Sequence, residues 1–496
     1  MEANALKTAP KWAAVKSGPV CLGMLWLLGV WGCGSTGGVA TCLELPDVCG
    51  KNGECDPETG QCRRRTAAPC VTHDGCPSDE RPVCNGAICV ACDTLATPQS
   101  ADDACASKRL KGRMACVRQG PQKGACGECR LAEHCDATKP VCDKATCRTC
   151  QEHAECPKSN VCNLGGGVSD LPDVQVGECA PADKVVFVDA DHCPKTGSTG
   201  ALDKPFCDLP AAVSKAVFIV VKSRLGGLYS GLRLSGGQRT TVVGLSVSGP
   251  VQMAPSSVSS TALVLDGVTV FGDTTGVSCG KGGNLWVLRS TIQNAHVGIE
   301  ALGCNRLHVE QSTITQSKNT GLSVGSGTRV YRVVNNIFDG NGQTAGGVGV
   351  FLAQKTSGLF AYNTLLRNGE KGQDGGAIRC EIDGLARRVI SSSIVIQNGM
   401  STRVDGSGQP LGTQFGGDCV LQRLVVGLDG TQALPPSEDL IFAIPDLDQA
   451  LRLLNTPNNR AYVIDNGRAD DTVRNDFFGG SRPKGNGFDI GAHELR

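Results

Sequence analysis

Asn284-Leu-Trp-Val-Leu-Arg-Ser-Thr-Ile292 is followed, 22 residues on, by Arg306-Leu-His-Val-Glu-Gln-Ser-Thr-Ile314. Each copy runs through polar residues into a Gly-aliphatic step, Gly298-Ile299 and Gly321-Leu322. A fixed period of this size marks a solenoid, in which each repeat is one coil and each coil packs on the next. Counting outward from the isoleucine gives Val268, Ile292, Ile314, Ile337, Leu365 and Ile394. The Gly-aliphatic step follows as Gly276-Val277, Gly298-Ile299, Gly321-Leu322, Gly347-Val348 and Gly376-Ala377. Within each unit the apolar residues alternate, as in Leu285/Val287 and Leu307/Val309. That is the two-residue period of a strand with one buried face. β-Branched residues dominate where a helical repeat would favour Ala, Glu and Lys. A coil of this length holds roughly three short strands and three turns, with each strand pairing its copy about 4.8 Å away.

On these residues the chain resembles the right-handed parallel β-helix family, whose members include pectate lyases and related polysaccharide-active proteins. The resemblance extends over residues 185–496. Val186-Phe-Val-Asp-Ala190 with Lys204-Pro-Phe-Cys-Asp-Leu-Pro-Ala-Ala212 looks like the opening strand and capping helix. Phe488-Asp-Ile-Gly-Ala-His-Glu494 looks like the closing segment. It implies an all-β fold, a right-handed parallel β-helix solenoid preceded by small disulfide-rich modules, and leaves the activity open.

The other end of the chain reads differently. Lys7, Lys11 and Lys16 precede an apolar run over residues 19–31, which fits an export signal and is too short to span a bilayer. Val30-Trp-Gly-Cys33 resembles the bacterial lipobox, which implies lipidation of Cys33 at the end of a 1–33 signal; ordinary cleavage near Ala40 is the alternative. A short linker, 34–41, follows. Of the 28 cysteines, twenty fall in residues 42–179, where aliphatic residues are too sparse for a core. They parse into five groups of four: Cys42/49/55/62, Cys70/76/84/89, Cys92/105/116/126, Cys129/135/142/147 and Cys150/156/162/179. Their rhythm is similar to EGF-like and Dickkopf-type segments. By analogy with those, first-to-third and second-to-fourth pairing is implied, though spacing alone leaves the connectivity open. Cys126-x2-Cys129-x17-Cys147-x2-Cys150 has zinc-ribbon spacing, but an exported chain with an even cysteine count points to disulfides. The Gly-rich, acidic stretch from 163 onward reads as a hinge, with the joint at 180–184. In the solenoid, three further disulfides are expected: Cys193/Cys207, Cys279/Cys304 and Cys380/Cys419.

Formal net charge is zero and no basic run is interleaved with aromatics, so nothing points to nucleic acid. The seven histidines are scattered without ligand spacing. The hydrolase motifs of the resembled family, Asn-Thr-Asp, a paired Asp-Asp and Gly-His-Gly, do not occur together in this chain. No cofactor is required; the candidate for calcium is the lengthened coil with Asp374, Glu381 and Asp383 as oxygen ligands and Lys371 or Arg379 as base. A solvated loop is the simpler reading. Six residues before each repeat isoleucine come Trp286, His308 and Tyr331. They are expected to point outward in one column, as a platform for pyranose rings flanked by Arg289, Glu310 and Gln311, or as a ladder that only stabilises the sheet. The reading that follows is an exported, lipid-anchored protein of the outer membrane or cell surface (or a secreted one) that binds polysaccharide or another surface partner without catalysis. A polysaccharide lyase or hydrolase acting on a polyuronate-type substrate is the alternative, and a rigid spacer the third.

Overall fold

The computed structural model describes residues 176–495 apart from 195, 216–217, 225, 257–260, 371–375, 383–387, 399–413, 428–436 and 471. Before these it describes parts of the stretch from 70 to 163 and residues 53–55 and 61–64. The chain divides into two compact units, Met1–Ala68 and Pro69–Arg496. Of the first, the described part is a hairpin of Gly53–Cys55 with Cys62–Arg64. Cys33 lies outside the described residues.

The second unit is a parallel β-helix carrying disulfide beads at its N-terminal side. Four beads share one plan, a short hairpin stapled first-to-third and second-to-fourth. The pairs are Cys70–Cys84 and Cys76–Cys89, Cys92–Cys116 and Cys105–Cys126, Cys129–Cys142 and Cys135–Cys147, and Cys150–Cys162 and Cys156–Cys179. Cys126, Cys129, Cys147 and Cys150 thus enter four different disulfides, and the zinc spacing is coincidental.

The solenoid opens with Val185–Val188 and the helix Leu209–Val213, whose N-cap Asp208 accepts the Ala211 N–H at 2.7 Å. Leu209, Ala212 and Val213 join the core at that end. An eleven-stranded parallel sheet, hereafter the long sheet, runs down one side. The other strands divide at Ser246–Met253: its first half pairs Thr269–Phe271 and its second half pairs Val277–Cys279. From there a second and a third face descend separately. Disulfides join Cys193–Cys207, Cys279–Cys304 and Cys380–Cys419.

Strand register corrects the repeat markers. The equivalent inward residues are Val270, Ile292, Ile314, Phe338, Leu365, Val395 and Val426. Successive differences give coils of 22, 22, 24, 27, 30 and 31 residues. Val268, Ile337 and Ile394 are therefore off by two, one and one. The Gly column likewise continues through Gly349 and Ala377, not Gly347 and Gly376. A Cβ on Gly298 would lie 2.4 Å from the Gly321 carbonyl oxygen, so the corner admits no side chain there.

Two polar ladders run inside this apolar core. At the turn after the long sheet, the backbone N–H of Ser290 donates to Ser312, Ser312 to Asn336, Asn336 to Asn363, and Asn363 to Ser393. At the next turn Ser317 donates to Asn341, Asn341 to Asn368, and Asn368 to Asn398. All of these side chains are buried. Turn residues beside the first ladder, from Arg289 through Gln311, Asn335, Tyr362 and Ser392, hold φ between 45° and 56°. That left-handed conformation is costly for non-glycine residues. The ladder supplies the hydrogen bonds that hold each turn in it.

Candidate functional site

On the long sheet the outward column is Val264, Trp286, His308, Arg332 and Leu359. Tyr331 is replaced in it by Arg332, because the marker below is Phe338 and not Ile337. Tyr331 pairs Leu307 and points into the core, where burial pushes its phenol up to about 12. One residue of slip moves a side chain to the other face.

Nor is Trp286 open to solvent. It packs in one cluster with Val185, Phe187, Val220 and Val264 of the sheet and with Val161 and Ala180 of the last cysteine bead. The segment read as a hinge therefore carries Ala180 into a packed contact; residues 164–175 lie outside the described part. Beside this cluster lies a charged one. Arg289 grips Asp266 with Nε–Oδ1 2.8 Å and Nη2–Oδ2 2.6 Å, and His153 of the bead places Nε2 3.7 Å from Asp266 Oδ2. One coil beyond Trp286, His308 Nε2 meets Glu310 Oε2 at 2.7 Å, with both side chains mostly covered.

The far half of the face is covered by the C-terminal tail. Val473 and Phe488 pack on Val334, Ala361 and Tyr362. Arg332 donates to the hydroxyl and carbonyl of Thr472 at 3.0 and 2.9 Å, and Gln311 donates to the Asp476 carbonyl. The column of Trp286, His308 and Tyr331 is thus no exposed platform: one member is under the bead, one is paired with its neighbour, and one is inside. Of the expected flanking donors, Arg289 and Gln311 are engaged within the protein. We expect Trp286→Phe to lower stability by roughly 1–2 kcal/mol, on the scale of a partial core truncation. The check is a denaturant midpoint that falls while ligand retention is unchanged.

Of the calcium candidates, Asp374, Asp383 and Lys371 lie outside the described residues. Glu381 Oε2 accepts the Gln354 N–H at 2.9 Å, which fixes it within a turn. Among the described residues, the groups of three or more metal-ligating side chains are cysteines of the beads, and all are in disulfides.

What stays uncovered is the upper part of the other two faces. Outward on the second face stand Thr269/Phe271, Thr291/Gln293 and Thr313/Thr315, in register and partly exposed. On the third, Gln252, Ser278, Glu300, Ser323, Phe351 and Arg379 form one column. Below them on the second face, Leu366, Ile394, Ile396 and Val425 turn apolar and are covered by Ala443, Leu453, Val463 and Ile490 of the tail. The sequence showed these residues as strands and gave no sign of which face would be covered. Only the switch from Thr to Ile at the outward positions marks where cover begins. No curated protein matches the chain. Residues 230–408 match the model of a family described as the right handed beta helix region, and the described residues of this stretch form a right-handed parallel β-helix.

Proposed function

We propose that the chain is an exported, lipid-anchored surface protein whose β-helix binds polysaccharide or another surface partner without cleaving it. Disulfides throughout the beads and the solenoid support an oxidising compartment. The observation that carries the binding reading is the partly exposed polar array Thr269, Thr291, Gln293 and Thr313, beside which the Thr315 hydroxyl donates to the Asp339 carbonyl at 2.8 Å. Its members repeat from coil to coil at about 4.8 Å, a flat, regular set of hydroxyl and amide groups suited to an extended ligand. Phe271, in register with Gln293 at one end of it, offers a partly exposed ring for the apolar face of a sugar.

The test is to incubate the full chain, with and without calcium, with acidic and neutral polysaccharides and to read both retention and new product ends. Retention without product is expected, and Thr291→Val combined with Gln293→Ala should weaken it about tenfold, the loss of one or two hydrogen bonds. Calcium-dependent product would instead establish the lyase reading and direct attention to Asp374, Glu381 and Asp383.

A further inference from the structure

The contact between the last bead and the long sheet has a titratable group at its centre. His153 lies in a 3-10 turn, His153–Glu155, whose bead contributes Val161 and Ala180 to the cluster around Trp286. The His153 ring is mostly buried. Its Nδ1 accepts the Cys162 N–H at 3.2 Å, which places the ring proton on Nε2, facing Asp266 Oδ2 at 3.7 Å. A second proton would have to go on Nδ1, against a donor, and would end that hydrogen bond. The surrounding charges give the imidazolium little help. Asp266, on the strand Ala262–Asp266, is already held by both guanidinium arms of Arg289. Lys222, on Phe218–Ser223, stands two coils away in the column of Asp266. Within the bead, Glu155 is bound to Arg148 at 2.6 Å and Glu152 caps the turn.

We propose that the docking of the last cysteine bead on the long sheet is an acid-released latch, with His153 as its sensor and the Trp286 face as the surface it uncovers. Burial holds the imidazole below its ordinary value; Asp266 opposes this, while Lys222 and Arg289 add to it. For a group depressed in the docked state, docking is fully supported above the ordinary value of 6.5 and is lost as pH falls through the lower, docked value. The latch therefore opens on the acid side of the ordinary histidine range.

Trp286 is its own reporter. With Trp12, Trp26 and Trp31 changed to phenylalanine in the full chain, it is the sole tryptophan. On titration from about pH 8 to about pH 4.5, spanning the histidine range, its emission should shift to the red in one reversible step. The far-ultraviolet signal of the sheets should not change. His153→Gln should abolish the step, and Lys222→Met, which removes a cation that repels the docked imidazolium, should move it to lower pH. The latch is overturned by no step in the parent, by a step that survives His153→Gln, or by simultaneous loss of the sheet signal. It is equally overturned by an unmoved midpoint in Lys222→Met, which remains decisive if His153→Gln does not fold.

Discussion

Replacing Glu494 with alanine is expected to cost about 3–5 kcal/mol, the usual penalty for stranding a buried charge. Arg482 and Glu494 are both fully buried in the tail, with Nη1 3.0 Å from Oε2. The guanidinium also donates to the carbonyls of Asp489 and Gly491 and lies 4.7 Å from the Tyr362 ring centroid. Glu494 in turn accepts the backbone N–H groups of Lys484 and Asp489. The substitution thus removes the counter-charge and the acceptors of two backbone N–H groups together. Since Phe488 and Ile490 of this tail cover two faces of the solenoid, its loss uncovers both. Denaturant unfolding and proteolysis of residues 463–495 report it. Glu494→Gln, which keeps an acceptor, should lose less, and an Ala variant within about 0.5 kcal/mol of the parent, the range of ordinary surface changes, would remove the tail from the account of stability.

The second large effect is expected at Asn368. Its Oδ1 accepts both the N–H and the Nδ2 of Asn341, at 3.0 and 2.9 Å. Its Nδ2 donates to the carbonyls of Phe338 and Leu366 and to Asn398 Oδ1, at 2.8, 3.0 and 2.8 Å. Leucine fits the volume but leaves buried donors of Asn341 without an acceptor, at about 1–3 kcal/mol each. A loss of about 3 kcal/mol or more is expected for Asn368→Leu, measured by chemical unfolding. Asn368→Asp should be worse at neutral pH than in acid. It turns the donating amide into a carboxylate facing two carbonyl oxygens, and only its protonated form can donate to them. A ladder that tolerates leucine would mean that coil stacking rests on the apolar core alone.

The solenoid was legible because two adjacent coils have the same length and repeat Ser-Thr-Ile intact. Below them, insertions lengthen each coil and the marker drifts. Asn335-Asn-Ile-Phe338 offers two apolar candidates, and choosing Ile337 over Phe338 sent Tyr331 to the wrong face. The bead pairing was legible in outline because four cysteines at short spacing around a hairpin admit few arrangements. The covering of Trp286 was not, since Val161 and Ala180 are small residues in a loop-rich bead with no periodicity to announce a packed face. The asparagine ladder had a signal, the Asn-Gly pairs at 341, 368 and 398, which reads equally as surface turns. Their inward aim depends on the stacking of coils far apart in sequence.

The arrangement leads to a division of labour. Bead and tail enclose the long sheet, and in the proposed reading recognition falls to the polar upper part of the second and third faces. The most direct measurement is collisional quenching of Trp286 at neutral pH in the full chain lacking the other three tryptophans. Blue-shifted emission, weak quenching by acrylamide and no change on adding a retained polysaccharide are the expected result. Quenching like that of a free indole, protected by polysaccharide, would contradict the enclosure and return the ligand to the Trp286 column.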